Sequence, residues 1–239
     1  KLTELLQSLS ATLDADSGSK YSVQRDVKNV LVVPICSNRG LAGAFNSNII
    51  KQTNVLINDV YGDKNVSILA IGKKANDAFA KQNRVIANKS SVFDDLTFEN
   101  VAAIAEMLME KFIEGEYDKI EIVYNHFKNA ATQIVMTEQF LPIVPIADDA
   151  NVNLDYLFEP SKQEIVETLI PKSLKTQLYK GIRDSFASEH GARMTAMHKA
   201  TDNATELRDQ LKLTYNQARQ AAITNEILEI VGGAEALNN

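Results

Sequence analysis

Apolar and polar residues recur along this chain with two different periods, and the switches between them mark out its elements. Leu2, Leu5, Leu6 and Leu9 recur at helical spacing, so residues 1 to about 15 read as helix, which Ser17-Gly18-Ser19 breaks. Val27 to Cys36 is a nearly continuous apolar run, as in a strand buried on both faces. Pro34 within it weakens ladder pairing and favours a strand end or an edge. Ile49, Ile50, Thr53, Val55, Leu56 and Val60 then give a helix over 46–60, closed by Gly62. Val66 to Ile71 reads as a second buried strand ended by Gly72, Lys73 to Gln82 as a short helix, and Arg84 to Ala87 as a third strand. Glu99 to Phe112 is amphipathic (Val101, Ile104, Met107, Leu108, Phe112) and ends near Gly115. Lys119 to Phe127 and Thr132 to Leu141 alternate in character across a short polar turn, which predicts an antiparallel hairpin on one edge. Strand and helix alternating in this way give an open, mainly parallel α/β sheet.

The end of the chain has a different rhythm. Residues 145–158 read as a loop, Ser161 and Glu164 form a capping box, and a short helix reaches Ile170. Pro171 can break or bend that helix, and can equally begin a longer one, which runs to about Val231 and ends at Gly232-Gly233. Sixty helical residues span about 90 Å at 1.5 Å per residue, so most of this helix should project from the body. Positions at alternating spacings of three and four read Met197, Ala200, Ala204, Leu207, Leu211, Thr214, Ala218, Ala221, Asn225 and Leu228. All but Thr214 and Asn225 are apolar, which makes this a coiled-coil seam, and its alanines call for a partner backbone at close range. A further ladder of Ala192, Ala196, Ala200 and Ala204 carries the same implication. No other segment is long enough to cover it. The partner rod is therefore expected from outside these residues, and the start at Lys1, in the middle of a helical pattern, is the natural place for it.

Composition adds mainly exclusions. With 45% hydrophobic and 23% charged residues the chain is an ordinary folded protein. Its net charge is −6, and from Pro171 onward nine Lys/Arg face eight Asp/Glu, so the acidity lies in the rest and no basic footprint invites nucleic acid. No stretch is apolar for the 18–20 residues of a membrane span. The lone cysteine, Cys36, excludes an internal disulfide or a Cys-rich metal site and reads as a buried, inert thiol.

Candidate chemistry is thin. The segment Ser37 to Asn46 places Gly40 and Gly43 between a strand and a helix, where α/β proteins bind phosphates. The Gly-x-x-Gly spacing matches neither the dinucleotide fingerprint nor the P-loop, and Gly72-Lys73-Lys74 stands where a ribose-binding acid would be. Gly40, Gly43 and Asn46 are therefore read as a structural turn. His126, His190 and His198 are too scattered for a metal, and Asp94-Asp95 and Asp148-Asp149 read as solvated turns. No catalytic constellation and no cofactor is expected.

Four segments carry a resemblance. Ala192-Arg193-Met194-Thr195-Ala196-Met197-His198-Lys199-Ala200-Thr201-Asp202-Asn203-Ala204 and Tyr215-Asn216-Gln217-Ala218-Arg219-Gln220-Ala221-Ala222-Ile223-Thr224-Asn225-Glu226-Ile227 resemble the F-type ATP synthase gamma subunit. So do Arg39-Gly40-Leu41-Ala42-Gly43-Ala44-Phe45-Asn46 and Tyr156-Leu157-Phe158-Glu159-Pro160. The resemblance covers the whole chain in order, except that the family's N-terminal shaft helix, with its Thr-x-Ala-Met stretch, is absent. It implies an α/β fold: a Rossmann-like open, mainly parallel sheet with flanking helices, plus a long C-terminal helix forming half of an antiparallel coiled coil. Residues 1–20 would be the end of the N-terminal shaft helix and a linker, 21–158 the α/β domain at the shaft base, and 159–239 the C-terminal shaft helix.

The implied role is the central rotor, which couples ion flow through the c-ring to ATP synthesis or hydrolysis and has no catalytic site of its own. The implied partners are three alpha and three beta subunits, the epsilon subunit and the c-ring. The implied place is the inner face of an energy-transducing membrane, the cytoplasmic side in a bacterium. By the same resemblance, Arg219, Gln220, Thr224 and Glu226 meet the catch loops of the beta subunits, and Tyr156, Phe158 and Glu159 meet the c-ring. The competing reading is a nucleotide-binding α/β enzyme with a coiled-coil dimerisation tail.

Overall fold

A computed structural model describes residues 20–143 and 162–237. Five strands form one mixed sheet: β1 (Asn29–Pro34), β2 (Asn65–Ala70), β3 (Val85–Asn88), β4 (Lys119–Phe127) and β5 (Gln133–Leu141). Their order is β3-β2-β1-β4-β5. The first four run parallel, and β5 returns antiparallel beside β4 at the edge, as the alternating pattern predicts. The helices are α1 (Phe45–Val55), α2 (Lys73–Phe79), α3 (Phe98–Ile113) and α4 (Lys162–Leu237). Pro34 is the last residue of the central strand β1, and regular pairing with β2 stops short of it at Val32–Ile68.

The apolar runs are continuous because both sheet faces are covered. On one face Leu31, Val33, Leu69, Ile122 and Tyr124 pack with Val101, Ile104, Leu108 and Phe112 of α3 and with Ile170, Leu174, Leu178 and Ile182 of α4. On the other, Val30, Val32, Ile68 and Val123 pack with Ile49 of α1 and with Ala75 and Phe79 of α2. Thr97 caps α3, its hydroxyl accepting from the Asn100 N–H at 3.3 Å, and Gly115 closes that helix at φ 78°.

Several boundaries differ from the sequence expectation. The helix expected over 46–60 passes into a π turn, Leu56–Val60, and Ser90–Phe93 forms a 3-10 turn that no periodicity marks. Pro171 neither breaks nor starts the long helix but lies inside it. Its cost of about 3 kcal/mol is countered by the neighbouring Ile170 and Leu174, both buried in the core. Gly232-Gly233 does not end α4 either. Glycine stops helices by turning left-handed, and neither residue does so; α4 continues to Leu237.

The chain divides into two compact units, one reaching to Met194 and one beginning at Thr195. The first holds the sheet and the opening turns of α4. In the second, α4 is half-buried at Thr195 and Ala196 and exposed from Met197 to Ala234. Among the described residues no helix is long and apolar enough to cross a membrane.

Candidate functional site

Ligands of doubly wound sheets bind where the strand order reverses, outside the carboxyl ends of the strands. In this chain that point lies between β1 and β4. The loop leaving β1 is built by Ser37 and Asn46. Asn46 accepts the Ser37 backbone N–H at 2.9 Å and donates through Nδ2 to Ser37 Oγ at 2.8 Å. Gly43 sits at φ 56°, a left-handed backbone that favours glycine, whereas Gly40 does not, and Leu41 between them takes φ 61° with its side chain 78% exposed. At the end of β2, Gly72 has φ 100°, and a Cβ there would stand 2.1 Å from the Cys36 carbonyl oxygen. Asn46 and Gly43 shape this loop more than Gly40 does.

A phosphate would need free N–H groups at this rim. The N-terminus of α2 is already satisfied: Lys73 N–H donates to Asn38 Oδ1 at 3.0 Å and Lys74 N–H to the Ser37 carbonyl at 3.1 Å. The crevice itself is filled by α4. Ser185 Oγ donates to the Ile35 carbonyl at 3.4 Å and Ser188 Oγ to the Asn125 carbonyl at 3.0 Å. Ala192 packs on Ala42 and Phe45, and Arg193 donates to the carbonyls of Arg39 and Gly40 at 3.4 and 3.3 Å. A nucleotide would have to displace the protein's own helix, which argues against the enzyme reading.

The other candidates are scattered. Nδ1 of His126 lies 2.6 Å from Asp184, the His190 ring meets Phe186 edge-on, and His198 is exposed. Asp95 accepts from the Asn100 side chain, while Asp148-Asp149 lie outside the described residues. No group of three or more His, Cys, Asp or Glu is placed to hold a metal among the described residues. Cys36 is buried, and burial pushes its thiol up to about 12.

One buried polar cluster has no sequence signal beyond residue type. Tyr61 Oη donates to Glu121 Oε1 at 2.7 Å, and Lys119 Nζ reaches the same oxygen at 3.0 Å. Burial raises the Tyr61 hydroxyl. Burial acts against the Lys119 ammonium, but its hydrogen bonds to Tyr61 and Glu121 prevail and hold it above its ordinary value.

The surface that remains is the second unit. Met197, Ala200, Ala204, Leu207, Leu211, Ala218, Ala221 and Leu228 are all exposed there, Leu211 at 60% and Leu228 at 62%. Met197, Ala200, Thr201, Ala204, Thr205 and Arg208 border a shallow concavity along this seam. Ile223, Ile227 and Ile230 form a second apolar stripe that periodic reading of the seam passes over. At about 100° per residue it lies roughly opposite Ala221 and Leu228. Arg219, Gln220, Thr224 and Glu226 are exposed between the stripes; Arg219 and Glu226, seven residues apart, share a face. Tyr156, Phe158 and Glu159 lie outside the described residues.

Comparison with known proteins agrees with the whole chain. A sequence model of the ATP synthase family matches residues 1–237. The ATP synthase gamma chain of Flavobacterium psychrophilum is 73% identical over 238 residues, covering 99% of this chain and 83% of that protein. The gamma chain of Flavobacterium johnsoniae is 70% identical, covering 100% of this chain and 83% of its own length. Among solved structures, a chain of the Euglena gracilis mitochondrial ATP synthase, in its OSCP/F1/c-ring assembly, superposes with a TM-score of 0.67 at 25% identity. That match covers 95% of this chain and 80% of the Euglena chain. A chain of the Tetrahymena thermophila central stalk/c-ring shares the fold, with a TM-score of 0.57 at 20% identity over 84% of this chain and 100% of that one. Sheet, helix and sequence therefore lead to one assignment: the chain belongs to the ATP synthase gamma chain family.

Proposed function

We propose that this chain is the central-stalk rotor subunit of an F-type ATP synthase, coupling ion flow through a c-ring to ATP synthesis or hydrolysis on beta subunits. The observation that carries the reading is the exposed, two-sided apolar helix of the second unit. A two-stranded coiled coil covers only the seam of each helix. The opposite stripe, Ile223, Ile227 and Ile230, would stay in water unless an outer collar enclosed the pair. A rod gripped along its seam and sleeved near its end fits a shaft inside a ring of three alpha and three beta subunits. The dimerisation tail of the competing enzyme reading leaves the outer stripe without a purpose.

On this reading the domains are the linker and shaft end over 1–20, the α/β base over 21–158 and the C-terminal shaft helix over 159–239. The second rod comes from the family's N-terminal shaft helix. The chemistry belongs to the beta subunits, and this chain acts by differential contact: each face of an asymmetric shaft favours the open or the closed state of the beta subunit it meets. Arg219, Gln220, Thr224 and Glu226 are the contacts to the beta catch loops. Arg219 makes no ion pair among the described residues, and its planar fork suits a carboxylate. Tyr156, Phe158 and Glu159 face the c-ring, and the α/β base binds epsilon. The chain is peripheral, on the inner face of the membrane.

Co-expression of the family's full-length chain with alpha and beta tests this. Assembly with ATP-driven rotation of the α/β base supports the rotor; a stable chain that never joins alpha and beta overturns it. Arg219→Ala should lower steady-state ATPase of the assembled complex, and unchanged turnover and coupling would reject that contact. Cross-linking from Cys at Glu159 should give adducts to the c subunit in intact membranes.

A further inference from the structure

The filled crevice has a mechanical meaning, which rests on the rotor reading. Three loops at the carboxyl end of the sheet reach the same stretch of α4, residues 184–193. From the loop after β1, the carbonyls of Arg39 and Gly40 accept from Arg193, which Glu189 steadies at 2.7 Å. In the turn after β3, the Phe93 ring stacks on Phe186 with centroids 6.2 Å apart. At the end of β4, His126 pairs with Asp184 and the Asn125 carbonyl accepts from Ser188. Beyond it, Ala130 Cα and the Phe127 ring stand 3.1 and 3.2 Å from where a Cβ on Gly191 would lie.

Below this rim α4 is held mainly by Ile170, Leu174, Leu178 and Ile182, an apolar ridge, with side-chain bonds from Lys175 to Glu106 at 2.5 Å and from Gln177 to Glu138 and the Gln139 carbonyl at 3.3 and 3.4 Å. Such a ridge fixes distance but resists rolling weakly, because apolar contact is non-directional. Directional bonds from several sides of the helix do fix its rotation.

We propose that the carboxyl rim of the sheet is a torque-bearing socket. The loop after β1, the turn after β3 and the end of β4 lock the rotational setting of residues 184–193 through Asp184, Phe186, Ser188 and Arg193, so that the sheet and this stretch of helix turn as one body under load. The position used elsewhere for a ligand here holds a drive shaft. Asp184, Ser188 and Arg193 are positioning residues for coupling and touch no substrate.

The test uses the assembled complex with the alpha–beta ring immobilised and a bead on the α/β domain. Asp184→Ala, Ser188→Ala and Arg193→Gln together remove about half of the directional bonds while leaving the apolar ridge intact, so the angular variance of the stalled bead should about double. Proton pumping per ATP hydrolysed in inverted vesicles should fall about twofold, while ATPase of the unloaded soluble complex stays unchanged. Unchanged variance and unchanged pumping overturn the socket. If the triple variant does not assemble, Ser188→Ala and Arg193→Gln are read singly, and wild-type variance in both overturns it equally. A wild-type bead that does not turn with ATP would defeat the rotor reading instead, which keeps the two failures apart.

Discussion

One helix passes through two environments. Over Ile170–Ile182 every fourth residue of α4 is sealed in the core; over Leu207–Leu228 residues of the same kind face water. The two stretches share secondary structure and differ in where the partner comes from. The first finds it in β1, β4 and α3, so its side chains contribute to folding of this chain. The second must receive it from another segment or subunit, so its side chains contribute to assembly. Apolar content alone does not tell a folding residue from an assembly residue.

Matched truncations break or sharpen this contrast. Leu178→Ala should cost about 2–5 kcal/mol in urea unfolding of the isolated chain, because it leaves a cavity in a fully buried site. Leu211→Ala should stay within about 0.5 kcal/mol of wild type in that assay, yet weaken recovery with alpha and beta. Equal losses in the isolated chain would erase the distinction. Gly72→Ala should destabilise the first unit by about 1–3 kcal/mol from backbone strain alone, with the Cys36 carbonyl clash added, while the second keeps its helicity by circular dichroism.

A pH titration separates the units more gently. Burial raises the Cys36 thiol and the Tyr124 hydroxyl, the latter helped by its bond to Glu138. The folded state then holds protons that the unfolded state releases, so this stability is full below about pH 9 and declines as pH rises toward 12. Melting temperature of the first unit should fall over that window, and Cys36→Ala should flatten the early part of the slope. The smallest effect expected is from Ile227→Ser: unchanged melting of the isolated chain, with a modest loss of assembled complex.

Much of the sheet was legible because burial on both faces leaves a local trace. The runs Val30–Val33 and Val66–Ile71 could hardly be anything but inner strands, and the alternation from Lys119 to Leu141 disclosed the antiparallel edge. The π turn at Leu56–Val60 was not legible; a Cβ on Gly62 just after it would stand 2.5 Å from the Asn58 carbonyl oxygen, a close approach visible only once the chain is folded. Pro171 and Gly232-Gly233 misled because propensities of about 1–3 kcal/mol are outweighed by packing in one case and by the reach of a long helix in the other. For the site, the seam followed from spacing, but the opposite isoleucine stripe escaped a reading that followed a single face. Arg193 was visible only as part of a family segment; its partners are two carbonyls more than 150 residues away.

The seclusion of Cys36 also equips the molecule for experiment. With the chain's only native sulfhydryl 1% exposed and reluctant to ionise, maleimides and disulfide-forming spin labels will pass it by at neutral pH. A cysteine introduced anywhere on the surface becomes the one address such reagents can read, and no native residue needs to be silenced first.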